Sequence, residues 1–409
     1  MADSADPQLT GARSLREIAK EFLRLGFVAY GGPAAHIAMM EERFVRRLAW
    51  VSGEQFLDLV GAVNLLPGPS STELAIYLGQ ISGGFPGLLV AGACFILPAA
   101  ILVVAFAWAY VQYGAVPQVA GLLFGIKPVV VALIAQAIWN LSKTALKTVP
   151  LAALAVSVIV LAILGVPVLL LLIAGGLLWM LLREGPVLTK ARSGLTAIFS
   201  AGATSGAGAL GMLPAFLYFL KVGAVLFGSG YVLLAVLRAD LVVRLHWLTD
   251  AQLLDAIAIS QATPGPFFTV ATFIGYLFGG WKGAGLATLG MFLPAFGYVA
   301  ATANFLPKLR KSPVAGAFLD GVNASAVALM AHVGWQFARA ALVNIPAMSW
   351  LLSALCWSFA TESILLGWFS PALSWEFCFR RFVECEYHAF HWKQSSYPSG
   401  SFRYSCFIP

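Results

Sequence analysis

Two tripeptides are placed where they can do chemistry. Pro67-Gly68-Pro69 runs directly into Ser70, Ser71, Thr72 and Glu73, and Pro264-Gly265-Pro266 is flanked by Thr263 and Thr269. Both lie inside apolar runs. Two prolines around a glycine remove two backbone donors and clash with the preceding turn, so a helix must break there. The half-helix that starts after each break points free N–H groups and a partial positive charge at the gap, which suits an anion. Pro67, Gly68, Pro69, Ser70, Ser71 and Thr72, with Pro264, Gly265 and Pro266, are therefore the candidate binding residues. The plainer reading is a pair of kinks in packed helices, but two interruptions in matching positions point to a substrate pocket.

Charged residues extend the candidate set. Arg43 and Arg238 can donate bidentately to an oxyanion, or else anchor the ends of spans at the membrane surface. Glu73 and Lys127 interrupt apolar segments, where ionisable groups are rare and expensive; they are candidates for ion coupling or for a buried ion pair. Asp58 and Asp255 are expected near the headgroups, and His36, beside Gly31-Gly32-Pro33, as a polar packing element.

These residues must be positioned by helices in a bilayer. Of the 409 residues, 60% are hydrophobic and 11% charged, against roughly 25% charged in soluble domains. Several runs reach the ~20 apolar residues that a crossing needs, among them residues 87–111, 119–139 and 149–182. The net charge of +7 is spread over short polar intervals between these runs, the pattern that sets membrane orientation rather than nucleic-acid binding. The first twenty residues are polar and show no secretory signal peptide.

The chain repeats itself. FLRLGFVAYGG from Phe22 returns as FLKVGAVLFGS from Phe219, an offset of 197 residues by subtraction. At that offset Trp50 falls on Trp247, Gln55 on Gln252, Asp58 on Asp255, and the two Pro-Gly-Pro tripeptides coincide; after a single-residue slip, Gly83-Gly84 meets Gly279-Gly280 and Pro98 meets Pro294. The expected fold is therefore all-α, a polytopic bundle of two homologous repeats with broken helices and roughly 10–12 spans. The expected division is a cytoplasmic segment 1–20, a first repeat 21–185, a linker 186–212, a second repeat 213–367 and an atypical tail 368–409. Lys308, Arg310 and Lys311 have no charged counterparts in the equivalent first-half loop, which favours inverted repeats. The basic intervals around Arg43 and Arg238 argue for parallel ones, and inversion is the preferred of the two.

Enzyme chemistry finds no support. There is no H-E-x-x-H and no P-loop, and Phe227 stands where a G-x-S-x-G elbow around Ser229 needs its first glycine. No nucleotide motif implies a primary pump. Of the five cysteines only Cys94 lies in the body of the chain; Cys356, Cys378, Cys385 and Cys406 crowd its end without a C-x-x-C pair, so neither a disulfide framework, a metal site nor a cofactor is expected. From Trp375 the tail is aromatic and lacks helical periodicity, as a disordered tail or an out-of-frame extension would.

GFVAYGGPAAHIAMMEERFV, NLLPGPSSTELAIYLG and FILP in the first half, with KVGAVLFGSGYVLL, WLTDAQLLDAIAISQATPGPFFTVATFIGY and GMFLPAF in the second, resemble the chromate ion transporter family, in its long two-domain form. The resemblance spans most of residues 22–339 and implies chromate efflux and resistance in a bacterial inner membrane. Sulfate, another tetrahedral dianion, stays open as substrate, and a membrane scaffold or sensor is the rival class. The expected partners are the anion and the lipid bilayer; a homodimer is compatible with this reading, and nucleic acid is not. Two charges leaving a cell at 100 mV, inside negative, gain ~4.6 kcal/mol, roughly a thousandfold gradient, so exit is downhill.

Overall fold

The computed structural model describes residues 13–114, 116–188, 212–226, 230, 232–302 and 313–341, with backbone alone at 117–126, 184–188, 313, 315, 340 and 341. All of them lie in the unit Met1–Cys356. Gly228, Ser229, Lys308, Arg310, Lys311, the four late cysteines, most of the 186–212 linker and the 368–409 tail lie outside the described residues.

Each half uses the same local devices. Helix α1 (Leu15–Val28) ends before Gly31-Gly32, and α2 (Pro33–Met40) starts with proline at its first turn and passes into a π-helical turn, Glu41–Arg47. At the 197-residue offset, α8 (Met212–Val225) is followed by α9 (Val232–Leu237) and a π-helical turn, Arg238–Arg244. Two residues beyond each π turn the backbone adopts positive φ, at Ala49 with 48° and at His246 with 51°. The reversal carries the next residue inward: Trp50 is buried against Phe44 at 4.8 Å between ring centroids, and Trp247 packs on Phe278 at 5.4 Å.

The recurring glutamines are capping residues. α3 (Gly53–Val63) and α10 (Asp250–Ala262) each begin with a capping box, Ser52 with Gln55 and Thr249 with Gln252, which satisfies otherwise orphaned N–H groups at the helix start. Each then ends at its Pro-Gly-Pro tripeptide. α4 (Ser70–Tyr113) follows the first; a 3-10 turn (Phe267–Thr269) and α11 (Val270–Thr302) follow the second.

Neither α4 nor α11 is straight. Non-helical dihedrals at Gly83-Gly84 and Gly279-Gly280, with φ of 63° at Gly84 and 57° at Gly280, fold each into a hairpin. A Cβ on Gly79 would strike the Gly87 carbonyl and Ala91, and one on Gly275 the Gly283 carbonyl and Ala287. Thr272 and Thr288 hydrogen-bond across the second hairpin at 2.7 Å. In a single straight helix sixteen residues span ~24 Å, so these contacts require two antiparallel arms. The short arm, 70–82, is ~20 Å long and α3 ~16 Å; neither alone spans a ~30 Å hydrocarbon core.

After the hairpins come α5 (Pro117–Ala145) and its counterpart α12 (Pro313–Ala341), both 29 residues long. The first half adds α6 (Val149–Ile163) and α7 (Val168–Leu188), which pack with α5 around α12. Aromatic and aliphatic side chains fill both halves, and Ala295 and Val299 of α11 join the first-half core. The outer face is also apolar: Val149 is 84% exposed and Leu164 73%. Three helices among the described residues are long and apolar enough to cross a membrane, in Ser70–Tyr113, Phe267–Thr302 and Gly316–Arg339. The chain is an all-α, multi-pass membrane protein.

Candidate functional site

The two breaks lock the halves together reciprocally. The N–H of Gly68 donates to the Leu226 carbonyl at 2.8 Å, and that of Gly265 to the Ala29 carbonyl at 2.6 Å. Leu226 is Ala29 shifted by 197 residues, so each break is bonded to the same point of the opposite repeat. Gly68 and Gly265 have φ of 137° and 100°, values that side chains strongly disfavour.

Beside this junction lies a cavity of about 1010 Å³. α2 contributes His36, the first break contributes Pro69, Ser70 and Ser71, and the second contributes Phe267 and Phe268. Asn64 and Gln261, equivalent residues at the ends of α3 and α10, face it, as do Gln136, Asn140, Lys143 and Lys147 around the end of α5, and Asp320 and Asn323 of α12. Two lysines against one aspartate leave a formal charge of +1 on this lining. Lys147 and Arg183 share Asp320 at 3.3 and 3.2 Å, whereas Lys143 makes no ion pair among the described residues and lies 5.2 Å from the Trp139 ring centroid.

The first break presents its helix end to this space. α4 starts without a side-chain cap; the Thr72 and Glu73 N–H groups donate to the Pro69 carbonyl, which leaves the Ser70 and Ser71 amides and the two serine hydroxyls as the donors that an anion could meet. Ser71 Oγ lies 3.3 Å from His36 Nδ1. The second break is apolar by comparison: Phe267 and Phe268 replace the serines, Thr263 Oγ donates to the Ser260 carbonyl at 3.1 Å, and Thr269 Oγ donates to the Pro266 carbonyl at 2.9 Å.

Of the candidates, then, Pro69, Ser70 and Ser71 line the cavity. Pro67, Gly68, Pro264, Gly265 and Pro266 shape the junction behind it, and Thr72 and Glu73 are wholly buried beneath it. Arg43 and Arg238 are not among the residues that line it. Arg43 pairs with Glu21 at 2.6 Å, and Arg238 holds Asp250 through two bonds of 2.7 and 3.1 Å. Lys127 is in a buried pair with Asp255 at 3.4 Å, to which the Tyr110 hydroxyl also donates at 3.1 Å. Asp255 is thus 4% exposed and paired with a lysine from the other repeat, whereas Asp58, its counterpart, is exposed. Sequence reasoning missed the polar residues of α5 and α12, whose Gln136, Asn140 and Lys143 share one helix face at spacings of four and three.

Comparison with known proteins agrees with this architecture. Residues 16–180 and 213–375 match the model of the chromate transporter family. The chain is 32% identical over 342 residues to a chromate transport protein of Cupriavidus metallidurans, covering 81% of this chain and 85% of that one. It is 33% identical over 354 residues to a chromate transport protein of Pseudomonas aeruginosa, with 82% and 84% covered. An uncharacterized transporter of Methanocaldococcus jannaschii is 25% identical over 341 residues, with 80% and 85% covered. No solved structure matches. With both repeats matched and most of the chain aligned, this protein belongs to the chromate transporter family.

Proposed function

We propose that this protein is a secondary transporter that exports chromate from the cytoplasm across a bacterial inner membrane and so confers chromate resistance. The observation that carries the reading is the uncapped start of α4, with Ser70 and Ser71, opening onto a cavity that both repeats line. A tetrahedral dianion needs several convergent donors and some positive potential, and the helix end, the amide side chains and Lys143 offer both. The relatives named as chromate transport proteins support the substrate.

The repeats, residues 21–185 and 213–367 in ten to twelve crossings and in inverted orientation, would rock against each other. Motion of that kind must open the Gly68–Leu226 and Gly265–Ala29 contacts in turn, since they tie each break to the opposite half. Segment 1–20 stays on the cytoplasmic side. The membrane potential is the driving force, to which a proton gradient can add.

The test is chromate uptake into everted membrane vesicles with and without an imposed inside-positive potential. Potential-driven uptake, competed by sulfate to the degree that the site reads only shape and charge, is the expected result. Uptake no greater than in membranes lacking the protein would refute the assignment.

A further inference from the structure

Glu73 is the titratable residue of the first break, and it does not line the cavity. It is fully buried, and neither carboxylate oxygen has a hydrogen-bond partner among the described residues. The carboxyl lies against Gly68, whose Cβ, if it had one, would come within 2.5 Å of Glu73 Oε1. Gly68 is the residue bonded to Leu226 of the second repeat. Tyr298 of α11 is within electrostatic reach of Glu73, but its hydroxyl donates to the Ala224 carbonyl at 2.7 Å. Tyr77 stands four residues along the same helix, and His36 of α2 meets Ser71. No lysine or arginine forms an ion pair with Glu73 among the described residues.

An ionised carboxylate without a partner at this depth is costly, and a proton is the smallest partner that removes the charge. Ser70 and Ser71 stand within one helical turn of Glu73, so its charge would also repel a dianion held there. The equivalent residue in the second repeat is Val270, also buried; the mirrored Gly265–Ala29 contact therefore has no titratable group in that place.

We propose that Glu73 is a proton-binding site that controls anion affinity at the first break, a role that rests on the transporter reading above. The proton and the dianion occupy the same state of the protein. Loss of the proton weakens anion binding and loosens the Gly68–Leu226 contact, while the second break stays indifferent to pH. One carboxyl facing one valine gives one linked proton per bound anion.

The experiment is equilibrium binding of radiolabelled chromate to the purified full-length protein across alkaline pH, where chromate stays a dianion. Linkage to a single proton makes Kd rise by up to about tenfold per pH unit. Glu73→Gln flattens that slope, and Glu73→Asp, which keeps a carboxyl, preserves it. A wild-type Kd independent of pH overturns the proposal, as does a slope that survives Glu73→Gln or one abolished by His36→Asn. If Glu73→Gln does not fold, the wild-type, Glu73→Asp and His36→Asn slopes still decide. Failure of the wild type to bind chromate at any pH would instead count against the transporter reading itself.

Discussion

The backbone N–H of Gly68 donates to the carbonyl of Leu226 at 2.8 Å, and the same bond recurs as Gly265 to Ala29 at 2.6 Å. Such exchange of identical contacts is what a twofold axis imposes on an isologous interface, realised here inside one chain. The repeats are therefore not two domains in series, since each completes the other at the point where its own helix is broken.

Substituting either glycine should damage this interface. Gly68→Ala forces a side chain into φ 137° and against Glu73, and Gly265→Ala does so at φ 100° and against Ala99. Strain of this kind costs on the order of 1–3 kcal/mol per site. Each variant should melt several degrees below the parent in detergent, and the double variant lower still. An unchanged melting temperature would mean that the junction yields without cost.

The hairpin tips report the orientation of the repeats. Phe85 and Trp281 follow the Gly-Gly turns at equivalent positions and are 61% and 64% exposed. In a background without native cysteines, Phe85→Cys and Trp281→Cys should react with a membrane-impermeant thiol reagent from opposite sides of the membrane if the repeats are inverted. Labelling of both from one side would make them parallel.

The Lys127–Asp255 pair joins α5 of one repeat to α10 of the other. Removing one partner of a buried pair typically costs ~3–5 kcal/mol, because the remaining charge is stranded, while replacing both with apolar groups can be nearly neutral. Lys127 retains 20% side-chain exposure, so the single-variant penalty should fall toward the lower end of that range. Lys127→Met should lower stability and Lys127→Met with Asp255→Leu should recover much of it, as read by thermal unfolding. A double variant worse than the single would show that Tyr110, bonded to Asp255, contributes more than the lysine does.

The sequence made the breaks legible because proline and glycine act locally: Pro67-Gly68-Pro69 and Gly83-Gly84 state their own backbone geometry and return in register. Burial of Asp255 was not legible, since its partners Lys127 and Tyr110 lie 128 and 145 positions away by subtraction and belong to the other repeat. The partners of the arginines were hidden for a related reason. Arg43 and Arg238 have the right chemistry for an oxyanion, but a pattern of types cannot show that Glu21 and Asp250 pair with them. The amides of α5 escaped notice because Gln136 stands alone in an apolar stretch and Asn140 reads as the start of the polar end of the helix, and only the fold turns them toward a shared cavity.

The cavity residues supply the test that bears most directly on substrate. A hydrogen bond to a charged group is worth ~1.5–3 kcal/mol, which at 1.4 kcal/mol per decade predicts that Ser71→Ala raises the KM for chromate by about tenfold or more. Ser71 also meets His36 at 3.3 Å, so the loss should be similar in a His36→Asn background if the anion, rather than the imidazole, is the serine's partner during transport. Lys143→Gln removes a partly screened charge and should weaken uptake less, with an effect that fades as ionic strength rises. Arg43→Gln should lower stability through Glu21 while leaving KM near the parent value. If instead Arg43→Gln raised KM and Ser71→Ala did not, the anion would be bound at the π-helical turn after α2 and the cavity would be a route rather than a site.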